Sequence, residues 1–295
     1  MGSKPDLVPL KKAYYLAVVV GTFALSFLCS ILLQHLFYAH AILVVVGITV
    51  VAIYMREAFK VQGLERAKML VAFVLMLQGI AFFVLYFQMP TSLNFFAINN
   101  IEHNLFGISV APEQFQALNP FWIMIASPFL AIAYNNLGER FAMPYKFSLG
   151  IALCALSFLT LKFGANFANS NGIMSANWLV LCYAFQSFGE LLVSGLGLAM
   201  VAQLVPQRIM GFAMGMWFLT SATAAVIAGW VAALTTAPAG LTDATQSLAI
   251  YSKVFGNIGY VTAIIALITL ILAPKLTEII RGETHEEQEV TPKYA

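Results

Sequence analysis

Charge is what this sequence lacks. Only 9% of its 295 residues are Asp, Glu, Lys or Arg, against roughly 25% in soluble domains. So few ions could not keep a folded surface of this size in water, which excludes a soluble globular fold. Cysteine is scarce too. Cys29, Cys154 and Cys182 all sit in apolar runs and are spaced neither for a metal nor for a disulfide framework. The histidines, His35, His40, His103 and His285, have no metal-ligand spacing. No nucleophile elbow, phosphate-binding glycine loop or zincin motif occurs. An enzyme reading has nothing to hold, and no cofactor is implied. The net charge of +2 comes without a basic run interleaved with aromatics, so nucleic acid is not an expected partner. The opening stretch MGSKPDLVPLKK reads neither as a cleaved leader nor as a myristoylation site. No short apolar region with a cleavage site follows it, and position 6 is Asp6.

What abounds is apolar: 61% of the residues are hydrophobic. A helix needs about 20 apolar residues to cross the hydrocarbon. Eight runs qualify, at 13–35, 39–58, 67–98, 112–137, 145–165, 176–204, 209–235 and 250–273. They are continuous rather than alternating, which argues against a β-barrel. The expected fold is an all-α polytopic membrane protein with eight transmembrane helices and lipid around it. Residues 1–12 read as a cytoplasmic linker, 13–58 as a two-helix hairpin, 59–282 as a six-helix bundle and 283–295 as a polar tail. With the N-terminus inside, 13 of the 15 Lys and Arg fall in inside loops, and only Lys162 and Lys253 remain outside. That bias orients membrane proteins. It puts both termini in the cytoplasm.

The six later runs suggest two groups of three, a 3+3 inverted repeat. The first run of one group contains Pro90, and the first run of the other contains Gly189, Gly195 and Gly197. Helices interrupted at matching places in two repeats point to a transport site.

Polar residues inside the runs are few. Glu190 is the one acid well inside any of them, and such a carboxylate costs about 2.5–3.5 kcal/mol on insertion scales. Gln186, Glu190 and Ser194 are four apart and share a helix face. A protonated glutamate bonded to a neighbouring helix is the structural alternative. In FQMPTSLN, Thr91 and Ser92 could simply repair the backbone at Pro90. The amides of Gln88 and Asn94 need partners of their own. Asn119, just before Pro120, is either a site residue or a helix cap. Trp217 lies deep, with Ser221 one turn on, and either lines a cavity or packs. Gly211 and Gly215 form a small-residue face suited to close helix packing.

The stretches FQMPTSLNFFAINNIEH, LNPFWIMIASP, SFGELLVSGLGLAMVAQLVPQR and GFAMGMWFLTSA resemble the proton-dependent oligopeptide transporters, and most closely the bacterial di- and tripeptide permeases. The resemblance covers nearly the whole chain. The loop NNLGERFAMPYK is similar to the gating loops of the major facilitator superfamily, to which that family belongs. The resemblance implies twelve core helices in two bundles, with a two-helix hairpin between them in bacterial members. This chain matches the hairpin and the second bundle, so the missing N-terminal six-helix bundle is an implied partner. It further implies alternating access in a bacterial inner membrane, with di- and tripeptides as substrates and the proton as coupling ion. Glu190 matches the family's acid on the tenth core helix, which meets the peptide amino group and couples to protons. Asn119 matches a second amino-terminus contact, and Trp217 and Ser221 match pocket positions. Gln88 and Asn94 complete the expected substrate contacts. Many members carry an acid before the glutamine, where this chain has Phe87, so a gating ion pair through that position is not expected. Two other readings stand beside this one: a membrane scaffold that does not transport, and a major facilitator transporter for another small solute.

Overall fold

The computed structural model describes residues 12–105, 107–138, 141–236 and 243–289. Arg140 and most of the expected linker 1–12 lie outside them, as does the end of the expected tail. Among the described residues, eight helices are long and apolar enough to cross a membrane. Each coincides with one of the eight apolar runs.

The chain divides into two compact units at Val50/Val51. In the first, α1 (Lys12–Gln34) and the start of α2 (Leu36–Lys60) expose nearly every side chain. Two of their hydroxyls bond within their own helices: Thr22 donates to the Val18 carbonyl and Thr49 to the Val45 carbonyl. Such side-chain bonds satisfy hydroxyls where water is absent. The division falls inside α2, eight residues before the expected end of the hairpin at 58. The cause is Tyr54, which is fully buried and donates its hydroxyl to the Met69 carbonyl at 2.9 Å. Ala58 is also fully buried, and Glu57 pairs with Arg208 at 2.8 Å. The last turns of α2 therefore belong to the second unit.

That unit holds α3 (Gly63–Tyr86), α4 (Asn94–Asn100), α5 (Leu118–Leu137), α6 (Met143–Gly164), α7 (Ala176–Val193), α8 (Gly197–Leu204), α9 (Met210–Ala233) and α10 (Ala244–Glu289). A π-helical turn at Met89–Leu93 separates α3 from α4, and a 3₁₀ turn at Ser194–Leu196 separates α7 from α8. These are the two interruptions expected at Pro90 and at the glycines of 189–197. α6 packs against α7 and α10, α3 against α9 and α6, and α5 against α7. α10 continues to Glu289, so the polar segment expected as a tail from 283 opens as helix.

The small residues that permit close packing are not all the expected ones. Around Gly211 and Gly215 no atom would meet an added Cβ within 4 Å, so this face of α9 is open and not packed. The tight contacts are elsewhere. A Cβ on Gly197 would fall 2.0 Å from the Trp217 ring, one on Gly79 would fall 2.8 Å from the same ring, and one on Gly189 2.8 Å from the Gly150 carbonyl.

One end of the bundle is knotted by Asn100, which is fully buried. Its amide donates to the carbonyls of Gly172 at 2.9 Å and Ala244 at 2.7 Å, and its Oδ1 accepts from Ser247 at 2.8 Å. Gly172 fits there with φ +74 because a side chain would strike the backbone at Ala244 and Thr245. The three connections joined here are the ones the basic-residue bias assigns to a single side.

Candidate functional site

α7 carries Glu190 one turn before the helix breaks, and the last α-type bond there runs from the Ser194 N–H to the Glu190 carbonyl. The partner comes from α5. A 3₁₀ turn at Pro112–Ala117 leads into that helix, with the Ala111 N–H capped by the Gln114 side chain at 2.9 Å. Asn119 thus falls in the first turn of α5 with its side chain buried against α7. Its Nδ2 donates to Glu190 Oε2 at 2.8 Å, while its carbonyl accepts from Ser187 at 3.4 Å. Trp122 adds a third tie, from Nε1 to the Val180 carbonyl at 3.2 Å. The helix-cap alternative for Asn119 is therefore not what its side chain does.

A second group lies near the carboxylate. Tyr86, the last residue of α3, stands near Glu190 with its ring stacked on Phe82 at 5.9 Å. Sequence reasoning missed it, because a tyrosine in an aromatic-rich run looks like packing. Met89 completes this corner, with its sulfur 3.5 Å from Asn119 Nδ2. An ionised carboxylate accepts only, and an amide N–H₂ donates only. Asn119 thus offers one neutral donor to a carboxyl group in a partly buried place.

The other expected site residues lie apart from this group in role. Gln88 is fully buried, and its amide is committed to protein. Nε2 donates to the carbonyls of Val84 at 3.0 Å and Ala228 at 3.1 Å, and Oε1 accepts from Ser92 at 2.7 Å. It ties α3 to α9 and has no free hydrogen-bond donor. Asn94 opens α4 with its Oδ1 buried and without a partner. Trp217 is 4% exposed, edge-on to Phe83 at 5.7 Å and to Phe147 at 6.1 Å. Wedged against Gly79 and Gly197, it packs the bundle rather than lining an open space. Ser221 bonds within its own helix, to the Phe218 carbonyl at 3.0 Å, and is partly exposed. Gln186 is fully buried one turn from Glu190, with only the Cys182 sulfur at 3.9 Å beside its Nε2 and no partner for Oε1.

Eight membrane-length helices, two of them broken at corresponding places, and an acid with its amide partner beside one break define a bundle of the membrane-transporter class. Comparison with known proteins makes this specific. A sequence profile described as the POT family matches residues 12–248, and the chain belongs to that family. It is 59% identical over 276 residues to dipeptide and tripeptide permease A of Yersinia pestis, covering 93% of this chain and 55% of that protein. It is 56% identical over 291 residues to the permease of the same name from Chromobacterium violaceum, covering 98% of this chain and 59% of that one. Among solved structures it resembles tetrameric PepTSo2, with a TM-score of 0.79 at 35% identity over 94% of this chain and 57% of that one. A bacterial homologue of the human drug peptide transporters PepT1 and PepT2 gives a TM-score of 0.76 at 35% identity over 95% of this chain and 57% of that one. The chain thus spans a little over half the length of the relatives it matches.

Proposed function

We propose that this chain supplies the second six-helix bundle of a proton-coupled di- and tripeptide symporter. In this reading it works by alternating access against a six-helix partner bundle in the bacterial inner membrane, with both termini cytoplasmic. The observation that carries the reading is the Asn119–Glu190 pair at 2.8 Å beside the α7–α8 break. A carboxylate held by a neutral donor has room in its chemistry for one cation at a time. A proton neutralises it, which low-dielectric surroundings favour. A peptide ammonium beside it favours the charged form instead. Occupancy by proton and by peptide are linked at one atom pair, and that linkage is what symport requires. The permease names of the relatives support peptides over other solutes.

The test is uptake of a labelled dipeptide by vesicles holding this chain alone, this chain with a matching first bundle, and the assembled pair carrying Glu190→Gln. The assembled pair should accumulate peptide along a proton gradient, and Glu190→Gln should abolish accumulation. It should also weaken binding of free-amine peptides by roughly tenfold to a hundredfold, the loss of a charge-assisted hydrogen bond of about 1.5–3 kcal/mol. An N-acetylated peptide, which lacks the cation, should be affected less. Equal small effects on both peptides with accumulation intact would make Glu190 a structural bond. A chain inert in every combination would favour the scaffold reading.

A further inference from the structure

We propose that the cleft between α6 and α10 holds one tail of an anionic phospholipid, with the headgroup phosphate on Lys162 and Lys253. The inference stands apart from the transport reading. α6 meets α7 through Gly150 and Cys154, against Val193 and Gly189, whereas Ala152, Leu156 and Leu159 line the cleft.

The cleft follows from small residues. At one end the two helices touch: a Cβ on Gly259 would fall 2.7 Å from the Leu159 side chain, and one on Gly256 2.5 Å from Lys162 Cδ. Next to this contact lie alanines, Ala152 and Ala155 from α6 and Ala263 and Ala266 from α10. The volume they leave unfilled is an open cleft of about 430 Å³. Its rim is exposed, Leu156 by 43% and Leu267 by 58%. Ser148 carries the one hydroxyl in the lining and donates it to the Pro144 carbonyl at 2.9 Å. All the other lining residues are alanine or leucine, so the cleft suits hydrocarbon. From Ser148 to Leu159 it runs about 17 Å, at 1.5 Å per residue. That is long enough for the tail of one leaflet, half of a hydrocarbon layer about 30 Å thick.

Charge at the mouth selects the occupant. The basic-residue bias leaves only Lys162 and Lys253 outside, and both belong to this end of the cleft. Lys162 is three residues beyond Leu159, with its Nζ 4.7 Å from the centre of the Tyr260 ring. Lys253, Gly256, Tyr260, Ala263 and Leu267 follow at steps of three or four and so share one face of α10. Among the described residues neither lysine is paired with a carboxylate. Gly256 leaves the space in which the Lys162 stem lies across α10. Within hydrocarbon no hydrophobic force drives association, and packing and polar contacts decide it. A lipid supplies both: its tail fills the cleft, and its phosphate meets two ammonium groups. A second copy docked here about a two-fold axis would instead set these lysines against their own counterparts.

The full chain is purified in detergent and titrated with phosphatidylglycerol or with phosphatidylcholine of the same tails. Native mass spectrometry counts the bound lipid. One phosphatidylglycerol should bind more tightly than phosphatidylcholine. Lys162→Gln and Lys253→Gln should each weaken it roughly fivefold, the worth of one basic residue near an anionic surface. Lys162→Arg, which keeps the charge, should bind as the unaltered chain does. Lys275→Gln, towards the opposite end of α10, should change nothing. Ala152→Leu with Ala263→Leu fills the cleft and should remove the tight binding of phosphatidylglycerol; if this pair fails to fold, the lysine variants decide. Equal binding of the two lipids, no loss in the lysine variants, or an equal loss in Lys275→Gln would each overturn the proposal. A dimer that phosphatidylglycerol leaves intact and the cleft-filling pair dissociates would assign the face to a second copy and overturn it too.

Discussion

At the scale of single residues, hydrogen-bond partners separate side chains that hold the fold from the pair proposed to meet a solute. Gln88 and Glu190 both looked costly in hydrocarbon. In the structure Gln88 makes three bonds to protein, one to the Ala228 carbonyl 140 residues away. Gln88→Ala should destabilise the chain by about 1–3 kcal/mol, since Ser92 loses its buried acceptor and α3 loses its tie to α9. Its thermal midpoint in nanodiscs should fall. In the proposed assembly, the preference for free-amine over N-acetylated peptides should not change, and a changed preference would return Gln88 to the site. Glu190 was legible in the sequence because an acid amid apolar residues stands out. Tyr86 was not legible, because tyrosine is common where Phe82, Phe83 and Phe87 also occur. Its nearness to Glu190 arises only on folding, because the acid lies more than a hundred residues later in the chain. The partner of Gln88 was hidden for a related reason: it is a backbone carbonyl, which any residue can offer.

At the scale of elements, the eight spans were legible because length and apolarity are the physical requirements for crossing hydrocarbon. The two interruptions were legible because proline and clustered glycine disturb a helix. Which glycine face packs was not legible, since spacing identifies a smooth surface but not the surface it meets. Gly197→Ala should force its methyl into the Trp217 ring, where only 2.0 Å is available. Overpacking of this kind typically costs about 1–3 kcal/mol, and a melt in nanodiscs should show it. Trp217→Leu in the same chain should recover part of the loss. Gly211→Ala, with no atom within 4 Å, should leave the melting midpoint unchanged. If both glycine variants melt alike, the contact with Trp217 is not what fixes the α8–α9 approach.

At the scale of the whole molecule, the basic-residue bias and the bundle's contacts agree on which connections share an end. Asn100 joins three on one side, and Glu57 and Arg208 join two on the other. Membrane-impermeant thiol labelling assigns the sides. Gly138, with φ +50, is a poor place for a cysteine, so exposed Asn136 serves for the inside and exposed Asn171 for the outside. In a background without Cys29, Cys154 and Cys182, intact cells should label Asn171→Cys and spare Asn136→Cys. The reverse pattern would invert the orientation. The Asn100 knot also has a mechanical meaning. Drawn out of a bilayer by its C-terminal end on a force probe, the chain surrenders α10 gradually until the pull reaches Ala244 and Ser247. There the load transfers to one asparagine side chain, itself anchored on the Gly172 carbonyl. A rupture peak should stand where the extracted chain is roughly 170–190 Å long, at about 3.6 Å per extended residue. In Asn100→Ala the same peak should be lower, while the gradual part of the trace is unchanged. The bundle is thus fastened at one rim like a purse with a single stitch, and the order in which it opens under load is set by where that stitch lies.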